Sequence, residues 1–243
     1  CGAWWLVSTA KEGGDDIPTR HVAWPQCVRM IRSIYPPIDL FEDIADPADW
    51  EALASAEAKM NPRLRESIGT LAKVPVDRRV AGPGASYVMA PFVHCSPYRP
   101  GRFSDGTYGL YYAGDSRSVA IAETVHHHAR TMRATDEAPG WTSQFRELVG
   151  KIDHVFDDVS GMRDLLDPDD YRASQKFGAA RRAAGSDGIY WPSVRFDGGK
   201  CIAAFWPDVV PVPVQGDHFS YHWNGEAVDY VRNLASGETW RVL

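Results

Sequence analysis

The sequence predicts a mixed α+β fold, because helical and strand-like segments follow one another without regular alternation. The predicted order is helices, strands, a helix, a strand, a helix and a hairpin, whereas a doubly wound parallel sheet requires strands and helices to alternate. The chain has 243 residues, of which 44% are hydrophobic and 24% are charged, as in ordinary globular proteins. We therefore expect a single domain over residues 21–243, preceded by a loose polar lead at residues 1–20.

The first part of this domain, residues 21–75, is predicted to be a mainly helical extension. Its clearest helix lies in DPADWEALASAEAKM, which begins with Asp46 and Pro47, residue types favoured at the N-cap and the first helical position. The dipeptide Asn61-Pro62 is expected to end this helix, because a proline disfavours helical backbone at the residue before it.

The middle of the chain changes from strands to a helix. Residues 80–114 contain AGPGASYVMAPFVH and TYGLYYA, short apolar or aromatic runs between Gly and Pro that are typical of strands. DSRSVAIAETVHHHARTM is predicted to be a helix with Asp115 or Ser116 as its N-cap. Residues 145–158 alternate well enough for a further strand.

The C-terminal part is predicted to contain one more helix and a hairpin. The helix begins near Asp167, continues to about Ala184 and stops at Gly185. GIYWPSV and CIAAFWP are predicted to be two strands joined by the turn FDGGK, and edge strands are expected after PVPVQGD.

Composition excludes several classes of function. A net charge of −6 and a pI of about 5.7 argue against direct nucleic-acid binding, which usually needs a basic surface. No apolar run is long enough for a membrane span, so we expect a cytoplasmic protein without a membrane partner. The four cysteines are far apart and form no CxxC pair, which predicts free thiols rather than a zinc site.

Glu123 is the first candidate for chemistry. It lies in VAIAETV, about 40° from Val119 on a helical wheel and therefore at the edge of the apolar stripe. Its small alanine neighbours leave space for a ligand. The alternative is a boundary glutamate that pairs with an arginine.

Further candidates lie on either side of this helix. Arg102, in the turn GRFSDGTYG, is suited to an anion, unless the turn is simply a solvated surface loop. Tyr111 and Tyr112 point to opposite faces of a strand, so one of them faces the core and the other is free to stack on a flat ring or to pack. Ser193 lacks a GxSxG motif and is expected to donate a hydrogen bond or to cap a turn.

The run His126, His127 and His128 suggests a metal site but does not fit one. Successive helical residues point about 100° apart, so three in a row do not share one metal ion easily, and no HExxH motif is present. We therefore expect no metal and place these histidines on the helix surface or at the rim of a cleft.

The order of these motifs resembles the RES-domain family, which is named for an Arg, a Glu and a Ser. The motifs are GRFSDG, LYYA, AIAET and PSVR followed by GGKC, and RMIRSIYPPIDLF resembles the longer branch found in ParST-type toxin–antitoxin systems. The resemblance covers roughly residues 24–225 and implies an ADP-ribosyltransferase-like split β-sheet core. It also implies that NAD⁺ is the co-substrate and that no metal takes part.

The same resemblance implies a toxin that transfers ADP-ribose from NAD⁺ to a protein target, with an Xre-type antitoxin that occludes the active site. Breakdown of NAD⁺ by hydrolysis or phosphorolysis is the alternative activity, and a non-catalytic module that binds NAD⁺ or ADP-ribose is the alternative of another class. The resemblance assigns three catalytic residues: Arg102, Glu123 and Ser193. It assigns four contacts to NAD⁺: Arg29, Arg102, Tyr112 and Ser193. Arg32 remains an alternative to Arg29.

Overall fold

The fold combines a large sheet with helices packed around it. The structure, a computed structural model, describes residues 17–43, 46–60 and 63–242. The strands of these ranges are β1 (Thr19–Arg32), β2 (Tyr111–Gly114), β3 (Thr142–Asp158), β4 (Gly188–Pro192), β5 (Lys200–Ala204), β6 (Val214–Trp223), β7 (Val228–Asn233) and β8 (Thr239–Arg241). The α-helices are α1 (Asp39–Asp43), α2 (Trp50–Met60), α3 (Arg63–Ile68), α4 (Ala85–Val93), α5 (Arg117–Thr135) and α6 (Arg172–Ala183). The predicted α+β class is confirmed.

The sheet is split into two halves that meet at narrow contacts. Its strand order is β1-β2-β5-β4-β3-β6-β7-β8, with an additional pairing between β1 and β3. β1 pairs with β3 along most of its length, but it meets β2 at one position, where Val28 lies opposite Gly114. β3 joins β4 through a parallel pairing of two residues, Asp157 and Asp158. A cleft therefore opens where β1 diverges from β2.

Two predictions of local structure are wrong. Residues 19–32, most of which were expected in a helical extension, form β1, because pairing with the distant strand β3 outweighs local helical preference. Residues 85–93, expected to be a strand, form α4, which is buried on most sides. A short apolar run without clear periodicity fits a buried helix as well as a buried strand.

The remaining elements follow the sequence more closely. The helix predicted to begin at Asp46 and Pro47 forms as α2, but it begins at Trp50, because the Asp46 carboxylate accepts the backbone N–H of Ala48 (2.9 Å) in a turn before the helix. The Ser116 hydroxyl accepts a hydrogen bond from the backbone N–H of Val119 (3.3 Å) and so caps α5, as predicted.

The hairpin of β4 and β5 is also confirmed, and strands form in the C-terminal part as expected. Among the C-terminal strands that the structure describes, however, only β8 is an edge strand, because β6 pairs with β3 and β7, and β7 pairs with β6 and β8. α6 begins later than expected, at Arg172, because the Asp167 carboxylate instead accepts backbone N–H bonds in a turn before the helix.

Some expectations concern residues outside the described ranges. Residues 1–16 of the expected lead lie there, as do Cys1 and the predicted helix stop at Asn61-Pro62. Cys27, Cys95 and Cys201 are free thiols. Among the residues that the structure describes, no helix combines the length and the apolar character that a membrane crossing requires.

The first turn of α5 lies directly on the sheet. Val119 is fully buried, and it packs against two positions that have no side chain, Gly114 and Gly199. A Cβ atom on Gly114 would lie 2.7 Å from Val119 Cγ1, and one on Gly199 would lie 2.4 Å from Val119 Cγ2. A second anchor is the Arg117 guanidinium, which donates two hydrogen bonds of 2.8 Å to the buried carboxylate of Glu147 on β3.

We predict that Gly114→Ala lowers the free energy of unfolding by about 1–3 kcal/mol, the usual cost of forcing an extra group into a packed site. The added methyl would overlap Val119 and approach the backbone N of Ala120 to 3.1 Å. Gly161→Ala is the control, since a Cβ atom there meets nothing within 4 Å. Urea denaturation followed by tryptophan fluorescence measures both variants, and an equal effect of the two would contradict the packing argument.

Candidate active site

The cleft between β1, β2 and α5 contains a cavity of about 200 Å³. Its floor is a row of four residues that lie opposite one another on adjacent strands: Val28, Gly114, Cys201 and Trp191. α5 lies over this row, and one of its faces supplies Ala120, Glu123, Thr124 and His127. The remaining residues of the lining are Arg29, Met30, Tyr112, Ala113 and Ile202.

Glu123 is held in the cavity by two side chains from the β4–β5 hairpin. Ser193 Oγ donates a hydrogen bond of 2.7 Å to Glu123 Oε1, and Cys201 Sγ lies 3.7 Å from the same oxygen. Burial, and then the nearby Glu123, raise the pKa of the Cys201 thiol well above its usual range, so the thiol stays protonated and acts as a donor. Both contacts engage one carboxylate oxygen, and the sequence-predicted pair Glu123 and Ser193 is brought together.

Ser193 also organises the turn that follows it. Its Oγ accepts hydrogen bonds from the backbone N–H groups of Arg195 and Phe196, both at 3.2 Å, and its own N–H donates to the carbonyl of Gly199 (2.8 Å). The two alternatives that the sequence left open are therefore both realised, because this serine caps the turn and donates to Glu123.

Arg29 projects from β1 into the wall of the cavity. Its Nη1 donates to the carbonyl oxygen of Tyr112 (2.9 Å), and its guanidinium lies 4.8 Å from the ring centre of Tyr111. Its Nε is buried and has no hydrogen-bond partner among the described residues. Burial lowers the pKa of Arg29, but an arginine stays charged in proteins, so this is a partly desolvated cation with donor capacity to spare.

The structure distinguishes between Arg29 and Arg32 as the candidate for a ligand contact. Arg32 lies outside the cavity lining, with its guanidinium 5.6 Å from the ring centre of Phe145. Arg29 is among the residues that line the cavity, so Arg29 is the better candidate for a ligand contact of the two.

Arg102 is buried but does not line this cavity. Its Nη1 donates to the carbonyl oxygens of Leu165 (3.3 Å) and Asp167 (2.6 Å), and its guanidinium lies 4.6 Å from the ring centre of Tyr171. These contacts hold the segment before α6. The same segment meets the hairpin turn beyond Ser193, because Arg195 donates to the carbonyl oxygen of Pro168.

The side chains of Tyr111 and Tyr112 point to opposite faces of β2, as strand geometry requires. Tyr111 packs in the core, whereas Tyr112 lines the cavity. The Tyr112 hydroxyl accepts a hydrogen bond from the backbone N–H of Phe103 (3.0 Å), and burial raises the pKa of this hydroxyl. Its ring lies edge-on to Trp191, with 6.1 Å between ring centres, so aromatic groups form one wall of the cavity.

The three histidines have three different environments. His126 Nε2 accepts from the Arg195 guanidinium (3.0 Å), His127 lines the cavity, and His128 is buried beside the ring of Phe145 at 5.1 Å between centres. Burial lowers the pKa of each histidine from 6.5 to about 4, so all three imidazoles are neutral at pH 7. Among the described residues, no group of three His, Cys, Asp or Glu side chains is arranged to hold a metal ion.

Sequence reasoning placed His127 only on the helix surface or at the rim of a cleft, and it did not single out two further cavity residues, Trp191 and Cys201. A signal existed for His127, since it is four residues after Glu123 and therefore on the same helix face. A signal also existed for Trp191, because side chains two apart along a strand share a face and Ser193 follows at that spacing. Cys201 is identified by strand register, which places it opposite Trp191.

Comparisons with known proteins show what this chain is similar to. Residues 76–224 match the sequence model of the RES domain. The uncharacterized protein y4oC of Sinorhizobium fredii (strain NBRC 101917 / NGR234) is 29% identical over 201 residues, which is 82% of this chain and 84% of that protein. A chain of the crystal structure of the M. tuberculosis MbcT–MbcA toxin–antitoxin complex superimposes with a TM-score of 0.41 and 12% identity, over 85% of this chain and 87% of that chain.

We predict that the free energy of unfolding falls as the pH is lowered from about 6.5 to about 4, in part because of the buried histidines. The unfolded chain takes up protons on His126, His127 and His128 in this range, whereas the folded chain does not until about pH 4. His128→Leu removes one such proton uptake and also a buried Nε2 that has no partner among the described residues. Urea denaturation at pH 7 and pH 5 should therefore show a smaller loss in His128→Leu, and an unchanged loss would refute this assignment.

Proposed function

The chain belongs to the RES domain family, and on that premise we propose that it cleaves NAD⁺ at the bond between nicotinamide and ribose. The observation that carries the proposal is the position of Glu123, a carboxylate that lines the cavity and is held by hydrogen bonds to one of its two oxygens. Cleavage of this bond develops positive charge on the ribose, as glycoside hydrolysis does. A carboxylate fixed in advance stabilises such charge without reorganisation.

The size of the cavity supports binding of one half of the dinucleotide. Its volume of about 200 Å³ is smaller than the roughly 300–1,000 Å³ of typical small-molecule sites. The nicotinamide–ribose half suits this space, because Tyr112 and Trp191 give the cavity an aromatic lining and Glu123 gives it a carboxylate. The adenosine half then lies outside, toward the rim.

Each candidate residue has a role in this proposal. Arg29 binds the pyrophosphate, because it is a cation in the lining of the cavity and its planar guanidinium suits an anion. Ser193 positions Glu123 through the 2.7 Å hydrogen bond, and Tyr112 packs against the nicotinamide or its ribose. Arg102 acts from outside the cavity lining, where it holds the segment before α6 and hence the contact with Arg195.

Protein ADP-ribosylation is the activity that the family resemblance favours. Transfer and simple breakdown share the cleavage step and differ in the acceptor, which is a protein side chain, water or phosphate. Nicotinamide release measured together with radiolabelled protein bands in a cell lysate separates them. A module that binds NAD⁺ without cleaving it would give neither product.

We predict that Glu123→Gln lowers nicotinamide release from NAD⁺ by a factor of about 10²–10³, the cost of removing a preorganised electrostatic contact. Glutamine keeps the shape of the side chain and removes its charge, so the fold should be retained. Glu238→Gln is the matched control, since this residue is exposed and lies outside the cavity lining. Chromatography measures the release of nicotinamide, and circular dichroism shows whether the fold is retained. Undiminished release by folded Glu123→Gln would contradict the role of Glu123 as the catalytic carboxylate.

We also propose that the protein is a toxin held inactive by an Xre-type antitoxin, as the family resemblance implies. The expected result is that the purified antitoxin forms a complex in gel filtration and stops nicotinamide release. Arrest of bacterial growth by the wild-type protein, but not by Glu123→Gln, is expected when each is expressed alone. Growth arrest by both proteins would show that NAD⁺ cleavage is not the toxic activity.

A further inference from the structure

Arg195 joins the turn between β4 and β5 to two neighbouring elements. It lies outside the cavity lining, but its side chain is only 17% exposed. Its guanidinium donates hydrogen bonds to His126 Nε2 on α5 (3.0 Å) and to the carbonyl oxygen of Pro168, in the segment before α6. A third neighbour, the Asp169 carboxylate, is 3.7 Å away and 84% exposed, so solvent screens this ion pair and it contributes little. The two hydrogen bonds are therefore the side-chain contacts that hold the turn in place.

The contact with His126 attaches the turn to α5 at a second point. The first point is the hydrogen bond from Ser193 to Glu123, and His126 follows Glu123 by three residues, about one helical turn further along α5. Burial lowers the pKa of His126 to about 4, so its imidazole is neutral at pH 7 and one ring nitrogen accepts from the guanidinium. Two attachments fix the orientation of the turn against the helix, whereas a turn held by one hydrogen bond is free to rotate about it.

The orientation of this turn determines where the Ser193 hydroxyl proton points. A serine hydroxyl has one proton and two acceptor lone pairs. Both lone pairs are used within the turn, because the Oγ atom accepts from the backbone N–H groups of Arg195 and Phe196, both at 3.2 Å. The proton is then left for Glu123 Oε1 at 2.7 Å. The backbone of Arg195 thus orients the donor that holds the carboxylate, and the side chain of the same residue fixes that backbone.

We propose that Arg195 is a positioning residue of the NAD⁺-cleaving site, which acts through Ser193 to hold Glu123 in one conformation. A glutamate side chain has many rotamers, and ordering it costs free energy. A carboxylate stabilises charge without reorganisation only if this ordering is complete before the reaction, and a turn attached to α5 at two points provides it. This inference rests on the proposed function, because it assumes that Glu123 acts on NAD⁺.

A double-mutant cycle on nicotinamide release tests this order of action. Arg195→Met keeps an unbranched apolar side chain and removes the guanidinium, and we expect it to lower kcat roughly tenfold, the size of one hydrogen bond, with KM for NAD⁺ unchanged. Ser193→Ala removes the donor itself and should lower kcat roughly 10- to 100-fold, because its acceptor is charged. The double variant should be no slower than Ser193→Ala alone, since Arg195 has no route to Glu123 once the hydroxyl is gone.

Hydrogen exchange in the absence of NAD⁺ gives a second readout. We expect faster exchange of the backbone N–H groups of Arg195 and Phe196 in Arg195→Met, and unchanged exchange in the first turn of α5. Arg181→Met is the matched control, because Arg181 also donates two hydrogen bonds, to the carboxylate of Asp157 (2.7 and 3.1 Å), and lies outside the cavity lining. It should leave kcat, KM and exchange in the turn after Ser193 unchanged.

The outcomes separate this inference from the proposed function. An equal effect of Arg195→Met with and without the Ser193 hydroxyl, a loss carried by KM, or unchanged exchange in the turn overturns the role of Arg195 and leaves the proposed function intact. Absence of nicotinamide release by the wild-type protein overturns the proposed function, and this inference with it. If Arg195→Met does not fold, His126→Leu removes the acceptor on α5 and His126→Gln retains one. We then expect a loss of kcat in His126→Leu alone, and the same cycle with Ser193→Ala decides.

Discussion

The close contact between the first turn of α5 and the sheet is the constraint on which the site depends. Val119 packs on Gly114 and Gly199, and neither position has room for a side chain. Gly114 is also the residue at which β2 pairs with β1. The same glycine therefore lies at a junction of the two halves of the sheet and provides the surface on which Val119 of α5 packs. Because protein interiors are close-packed, a helix seated there has little freedom to shift.

This placement of α5 determines which of its residues face the cavity. One turn after the contact, Glu123 lies above the floor of the cavity, and a further turn brings His127 to the same side. The opposite side of the helix is fixed by Ile121, Ala129 and Met132 in the core against β1, β3 and β6. Glu123 therefore owes its position to the packing of residues that have no chemical role themselves.

The hairpin of β4 and β5 supplies the second side of the site. Its strands carry Trp191 and Cys201 opposite each other, and its turn carries Ser193, so one local unit supplies both side chains that contact Glu123 and a further residue of the cavity lining. The same turn is tied through Arg195 to the segment that Arg102 holds. Arg102 and Glu123, which the family resemblance groups together, are thus linked through intermediate residues rather than through a shared cavity wall.

The sequence by itself determined the features that depend on neighbouring residues. These include the Ser116 cap of α5, the β4–β5 hairpin, and the amphipathic edge on which Glu123 lies. It did not determine β1, because that strand exists through pairing with β3, which is far away in the chain. Tertiary structure alone placed Arg29 and Trp191 in the lining of the cavity and Arg102 outside it. Cavity walls are formed by strand register and helix seating, and no local pattern of residues specifies either one.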